Sequence, residues 1–217
     1  MNTPVIHFID GPVGFIETAS LLCDLFQPMP EQALLILHPH PSHGGTMGNK
    51  VVTTIARVAR DAGLPAVAFN FRGAGRSEGV WDYGEGELMD AFHVASLMVR
   101  HGVSKLCLAG FSFGGSIAAR LIQMIRTEGL DVEVIDLIQV APAVENFPIE
   151  HSALGNVPRT VIYNEDDDVV DPQAIRAYAI GVHAQLIHST TGGHFFHGEL
   201  TRLKEVISSH YLERGIV

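Results

Sequence analysis

The 217-residue chain has two cysteines, one tryptophan and 14 Lys+Arg against 24 Asp+Glu, for a formal net charge of -10. Two thiols are too few for a disulfide framework, so Cys23 and Cys107 both read as core thiols with no bridge implied. Scattered Lys and Arg on an acidic chain offer no electrostatic footprint for nucleic acid or an anionic membrane. The opening Met-Asn-Thr-Pro-Val-Ile-His-Phe-Ile-Asp has no basic stretch, and the apolar segment Val13–Phe26 is interrupted by Glu17 and Asp24. Neither a signal peptide nor a membrane span is expected, and a cytoplasmic location follows as the default. Internal repeats, low-complexity tracts and linkers are absent as well, which predicts a single domain over residues 1–217. Hydrophobic residues at 47% and charged residues at 18% can supply the core of such a domain.

What is present is an alternation of short apolar runs with helical periodicity. Ala33–Leu37, Pro65–Phe69, Leu106–Ala109, Val132–Val140, Arg159–Tyr163 and Ala184–Ile187 read as buried strands. Apolar spacing predicts helices from Val51 to near Gly63, over Glu87–His101, from Ile117 to about Arg126, over Gln173–Ile180, and from about Glu199 to Leu212. Ahead of these, Val5–Ile9 and Gly14–Cys23 read as a β-hairpin turning at Asp10-Gly11-Pro12. Its second arm alternates weakly, which suits an edge. The order predicts an α/β fold: a mostly parallel central sheet, an antiparallel N-terminal hairpin, and helices on both faces. Ala143–Pro158 reads as irregular.

The most informative stretch is Gly110-Phe111-Ser112-Phe113-Gly114. An apolar strand runs into it and a helical pattern leaves it, which is the setting in which Gly-x-Ser-x-Gly forms a nucleophile elbow. Glycine is needed at 110 and 114 because strand and helix pass too close for a β-carbon. The turn strains Ser112 and lifts its hydroxyl off the sheet. The helix N-terminus behind it adds positive partial charge where an oxyanion would develop.

In a parallel sheet, loops at the carboxyl ends of the strands share one edge, where ligands bind. Ser112, Asp167 and His194 each follow a predicted strand and are expected to meet there. Their chemistry is complementary. Serine needs a base, histidine titrates near neutral pH, and a carboxylate holds the imidazole tautomer.

His38-Pro39-His40-Pro41 with Gly44-Gly45, Asn70-Phe71-Arg72-Gly73-Ala74-Gly75-Arg76-Ser77, Gly110–Gly115, Asp167, and Gly193-His194-Phe195-Phe196-His197-Gly198 together resemble the α/β-hydrolase superfamily over nearly the whole chain. The resemblance is strongest to the small lidless serine hydrolases related to dienelactone hydrolases. It implies an α/β-hydrolase fold without a cap, a Ser-His-Asp triad, an acyl-enzyme, and no cofactor or metal. In such proteins the acid lies three residues after a strand-ending glycine. Asn164 takes that place here, as a residue that tolerates left-handed geometry. Counting from it gives Asp167, with Asp168 the alternative, while Glu165, Asp166 and Asp171 read as a solvated turn. His194 is preferred as base over His197, which reads as the start of the last helix. The oxyanion donors are expected to be the backbone N–H groups of Phe113 and His40, since Pro39 and Pro41 have none.

Other features read blandly. His38, His40 and His43 order a loop rather than hold a metal. Gly73–Gly79 lacks the third glycine of a dinucleotide site, Gly44–Lys50 fails the P-loop spacing, and Arg72 reads as a scaffold hydrogen-bonder. Trp81 and Tyr83 read as ordinary packing, with an acyl-pocket wall as the alternative. The expected activity is carboxylesterase-like hydrolysis of a small-molecule acyl substrate with short or exposed acyl groups. A thioesterase or peptidase with the same triad, or a catalytically silent binding protein on the same fold, are the alternatives. The assembly is expected to be a monomer or a homodimer, with the hairpin Val5–Cys23 as a candidate contact edge.

Overall fold

Eight strands join in one sheet in the computed structural model, which describes residues 3–217. In chain order they are β1 Val5–Gly11, β2 Gly14–Leu21, β3 Gln32–Leu37, β4 Ala66–Phe69, β5 Lys105–Phe111, β6 Glu133–Val140, β7 Arg159–Asn164 and β8 Gln185–Ser189. The helices are α1 Lys50–Asp61, α2 Glu85–Arg100, α3 Phe113–Thr127, α4 Pro172–Gly181 and α5 Leu200–Glu213. The sheet order is β1-β2-β4-β3-β5-β6-β7-β8. The pairs β1–β2 and β2–β4 are antiparallel, and all the others are parallel.

The central strands are apolar throughout because both faces are covered. Ala33–Leu37, Ala66–Phe69 and Leu106–Phe111 are buried residue by residue. Right-handed crossovers decide which helix covers which face. The chain steps from β3 to β4 in one direction, then from β4 past β3 to β5 in the other. Helices α1 and α2 must therefore lie on opposite faces. Accordingly, α1 packs against α5 while α2 packs against α3. Caps fix two helix starts: Asn49 accepts the Val51 N–H ahead of α1, and Asp171 accepts the Gln173 N–H ahead of α4, where Pro172 opens the helix.

Three expectations need correction. The edge strand is β1, not the second hairpin arm: β2 also pairs with β4 through Thr18–Leu21 and is largely buried. Leu22 and Cys23 lie outside the strand. The last helix begins at Leu200, so His197 sits in the exposed turn ahead of it. Between β6 and β7 the path is irregular as expected, with a single short 3-10 turn at His151–Leu154. Among the described residues, no helix is long and apolar enough to cross a membrane. Cys107 is buried and Cys23 half-buried, and both are free thiols.

Candidate active site

Ser112 is the only residue between the end of β5 and the start of α3. It has φ 53° and ψ −121°, a conformation that costs a non-glycine residue on the order of 1–3 kcal/mol and persists only when its surroundings over-determine it. They do so here. The Ser112 N–H donates to the Val140 carbonyl at 2.8 Å, and the Ser112 carbonyl accepts from Gly115 N–H at 2.9 Å and Ala143 N–H at 3.2 Å. The glycines behave as expected. A β-carbon at Gly110 would run into the Gly114 carbonyl, and one at Gly114 into the Leu37 and His38 carbonyls.

His194 follows β8 and is buried, as are Ser112 and Asp167. Its Nε2 lies 2.9 Å from Ser112 Oγ, and its Nδ1 lies 2.8 Å from Asp167 Oδ2. The network assigns the tautomer: Nδ1–H donates to the carboxylate, and Nε2 accepts from the serine hydroxyl. The other Asp167 oxygen accepts the N–H groups of Val169 and Val170, each at 2.9 Å, which fixes the carboxylate plane. The alternatives stand apart. Asp168 is exposed, Asp171 caps α4, Glu165 pairs with His188 at 3.0 Å, and His197 is exposed.

Two neighbours were misread from sequence. Asn164 is not left-handed: it ends β7, and its Nδ2 donates to the Gly193 carbonyl at 2.8 Å. Asp166 is not simply a solvated turn residue. It accepts Gly193 N–H at 2.8 Å and Gly192 N–H at 3.1 Å. Both side chains thus reach across to the loop that carries His194.

On the other flank, the loop after β3 passes the N-terminus of α3. Phe113 is the first residue of that helix, so its N–H has no intrahelical acceptor. Among the described residues, neither the Phe113 nor the His40 N–H has a hydrogen-bond partner. The His40 ring stacks on His43 at 4.4 Å and lies 4.2 Å from Trp81 and 5.4 Å from Phe113. Burial first, and then the His43 charge, hold the His40 imidazole below its ordinary pKa. Trp81 and Phe147 close against Phe113 at 5.2 and 4.7 Å, so these rings buttress the start of α3 and the loop after β3. Tyr83 stays exposed.

Scaffold contacts hold the loops beneath. His38 is fully buried, with Nδ1 2.6 Å from the Pro39 carbonyl and Nε2 accepting Phe71 N–H at 2.9 Å. Burial pushes its pKa down to about 3, against the raising effect of the Pro39 carbonyl, so the ring is neutral. Arg72 grips Asp90 of α2 through Nε at 3.0 Å and Nη2 at 2.7 Å, as a scaffold residue would. Among the described residues, no three His, Cys, Asp or Glu side chains are grouped to hold a metal ion. Two open cavities flank the exposed Phe195. One of about 530 Å³ touches His194, and one of about 590 Å³ is lined by Lys50 and His197.

No family model matches the chain. It is similar to an α/β serine hydrolase homologue from Coxiella burnetii, with a TM-score of 0.79 and 35% identity over 97% of this chain and 98% of that one. It is also similar to XC6422 from Xanthomonas campestris, an α/β serine hydrolase without a lid, with a TM-score of 0.79 and 30% identity over 98% and 95%. The uncharacterized protein RP471 of Rickettsia prowazekii is 30% identical over 178 residues, covering 80% of this chain and 71% of that protein. With an eight-stranded sheet of this order, a strained serine between strand and helix, and these relatives, the chain belongs to the α/β-hydrolase superfamily of serine hydrolases.

Proposed function

We propose that this hydrolase is carboxylesterase-like and works through Ser112, His194 and Asp167. The observation that carries the reading is the unbroken chain Ser112 Oγ–His194 Nε2–His194 Nδ1–Asp167 Oδ2, with links of 2.9 and 2.8 Å. Ser112 Oγ attacks the acyl carbon as its proton passes to Nε2. The imidazolium keeps its Nδ1–H on Asp167, which stabilises the new charge. The carbonyl oxygen becomes an oxyanion, and the unpartnered N–H groups of Phe113 and His40 receive it, aided by the N-terminus of α3. The intermediate collapses, the ester C–O bond breaks, and Nε2–H protonates the departing alkoxide. Water then attacks the acyl-Ser112 carbonyl while His194 takes its proton. Return of that proton to Oγ releases the acid and restores the serine.

Short or exposed acyl groups suit the site, because Ala141–Pro158 contributes one 3-10 turn and no helical roof. A panel of p-nitrophenyl esters of increasing acyl length, run beside acyl-CoA and peptide substrates, tests the reading. Turnover of short esters should fall about 10^4-fold or more in Ser112→Ala. A fluorophosphonate should label Ser112 and no other residue. Ester turnover that survives in Ser112→Ala would overturn the assignment, and preference for a thioester or peptide would reassign the substrate.

A further inference from the structure

The proposed base rides on a segment with little intrinsic stiffness. Gly192 and Gly193, with φ +125° and +58°, immediately precede His194. Glycine has the widest backbone freedom of any residue, and two in succession could let the imidazole swing. The structure removes that freedom by occupying every backbone polar group of the pair. Gly192 N–H donates to Asp166 Oδ2 at 3.1 Å, and its carbonyl accepts His197 N–H at 2.7 Å. Gly193 N–H donates to Asp166 Oδ1 at 2.8 Å, and its carbonyl accepts Asn164 Nδ2 at 2.8 Å.

We infer that Asn164 and Asp166 are positioning residues for His194, locking the glycine pair so that Nε2 stays on Ser112 Oγ. The inference rests on the reading of His194 as the base. Asn164 and Asp166 flank the same turn that presents Asp167. Residues 164–167 therefore take hold of the His194 loop twice, at its backbone through Asn164 and Asp166 and at the ring through Asp167. The acid and the base cannot drift apart without breaking both sets of contacts. Asn164 is fully buried, and its Oδ1 has no partner among the described residues. An unpaired buried acceptor destabilises the fold, so this amide brings a cost at one end and the Gly193 contact at the other. The close fit admits little substitution at Gly192, where a β-carbon would lie 2.8 Å from Asn164 Nδ2.

The test compares Asn164→Ala, Asp166→Ala and Asp166→Asn with wild type and with Asp168→Ala, a variant of the exposed neighbour, whereas the glycine N–H groups go to Asp166. Catalytic groups displaced by about 1 Å lose on the order of 100-fold in rate. Asp166→Ala and Asn164→Ala should lower kcat about 10- to 100-fold with KM within about 2-fold. Asp166→Asn should fall between, because its single carbonyl oxygen can still accept one N–H, and Asp168→Ala should match wild type. The low-field proton resonance of His194 Nδ1–H gives a readout independent of substrate. It should be sharp in wild type and Asp168→Ala, and broadened or lost in the two alanine variants even where thermal unfolding is unchanged. Alanine variants with kcat within about 2-fold of wild type and an intact resonance would overturn the inference, as would losses that track only the folded fraction. Full activity in Ser112→Ala would instead defeat the underlying reading of the site, while the resonance would still report on the clamp.

Discussion

Replacing His210 with leucine should remove much of the protein's stability while leaving its chemistry alone. His210 of α5 is buried, with Nε2 2.8 Å from Asp136 Oδ2 on β6 and Nδ1 3.2 Å from Thr160 Oγ1 on β7. The other Asp136 oxygen is also buried and has no partner among the described residues. Leucine at 210 would strip the carboxylate of its remaining contact. Removing one member of a buried ion or hydrogen-bond pair costs about 3–5 kcal/mol, because the partner is left uncompensated. Against a typical total of roughly 5–15 kcal/mol, that is about a fifth or more of the stability. At about 2–4 °C per kcal/mol for a chain of this size, Tm should drop by roughly 6–20 °C. The double variant Asp136→Leu/His210→Leu should recover at least half of the loss, since no buried carboxyl group is then left without a partner. Val140, whose carbonyl holds Ser112, lies four residues along β6 from Asp136, a span of about 13 Å. Ester turnover per folded molecule should therefore stay within about 2-fold of wild type. Calorimetry and urea unfolding supply the stabilities. A single-variant loss below about 1 kcal/mol, or a double variant less stable than either single, would refute the reasoning.

Two further outcomes follow from buried titratable groups. His38 is neutral when folded, with its pKa pushed down to about 3, but takes a proton near pH 6.5 when unfolded. The unfolded state binds more protons between those values, so this group's contribution is complete above pH 6.5 and erodes by up to about 1.4 kcal/mol per unit as pH falls toward 3. Stability measured from pH 7 to 4 should fall less steeply in His38→Gln, and parallel profiles would contradict the assignment. Burial raises the Cys23 thiol to about 11 and raises that of Cys107 further. At pH 8 a disulfide-exchange reagent should modify both only after denaturation, and rapid labelling of native protein would contradict this.

The sequence carried the fold wherever burial leaves a pattern. Strands β3, β4 and β5 are apolar without interruption because helices cover both faces, and so were visible as short runs. Ser112 was visible because a strand, two close-packed glycines and a helix all mark the same turn. The edge strand was misplaced because β2 owes its burial to β4, a partner far along the chain that alternation within the hairpin does not reveal. Asn164 and Asp166 are misread from the sequence for a related reason. A polar side chain that binds backbone 26 to 29 residues away leaves no periodicity and resembles any turn residue. The ring of His40, wedged between His43 and Trp81, is equally silent in one dimension.

The path from β6 to β7 is moored at both ends by parallel pairing, β6 to β5 and β7 to β8, and by the Ala143 N–H on the Ser112 carbonyl. Lengthening a surface connection costs only about 0.6 kcal/mol per doubling. Extra helices could accordingly be grafted past Phe147, whose ring has to stay on Phe113. A greasy canopy for long-chain substrates fitted there would leave the hydrogen bonds among Ser112, His194 and Asp167 below in place.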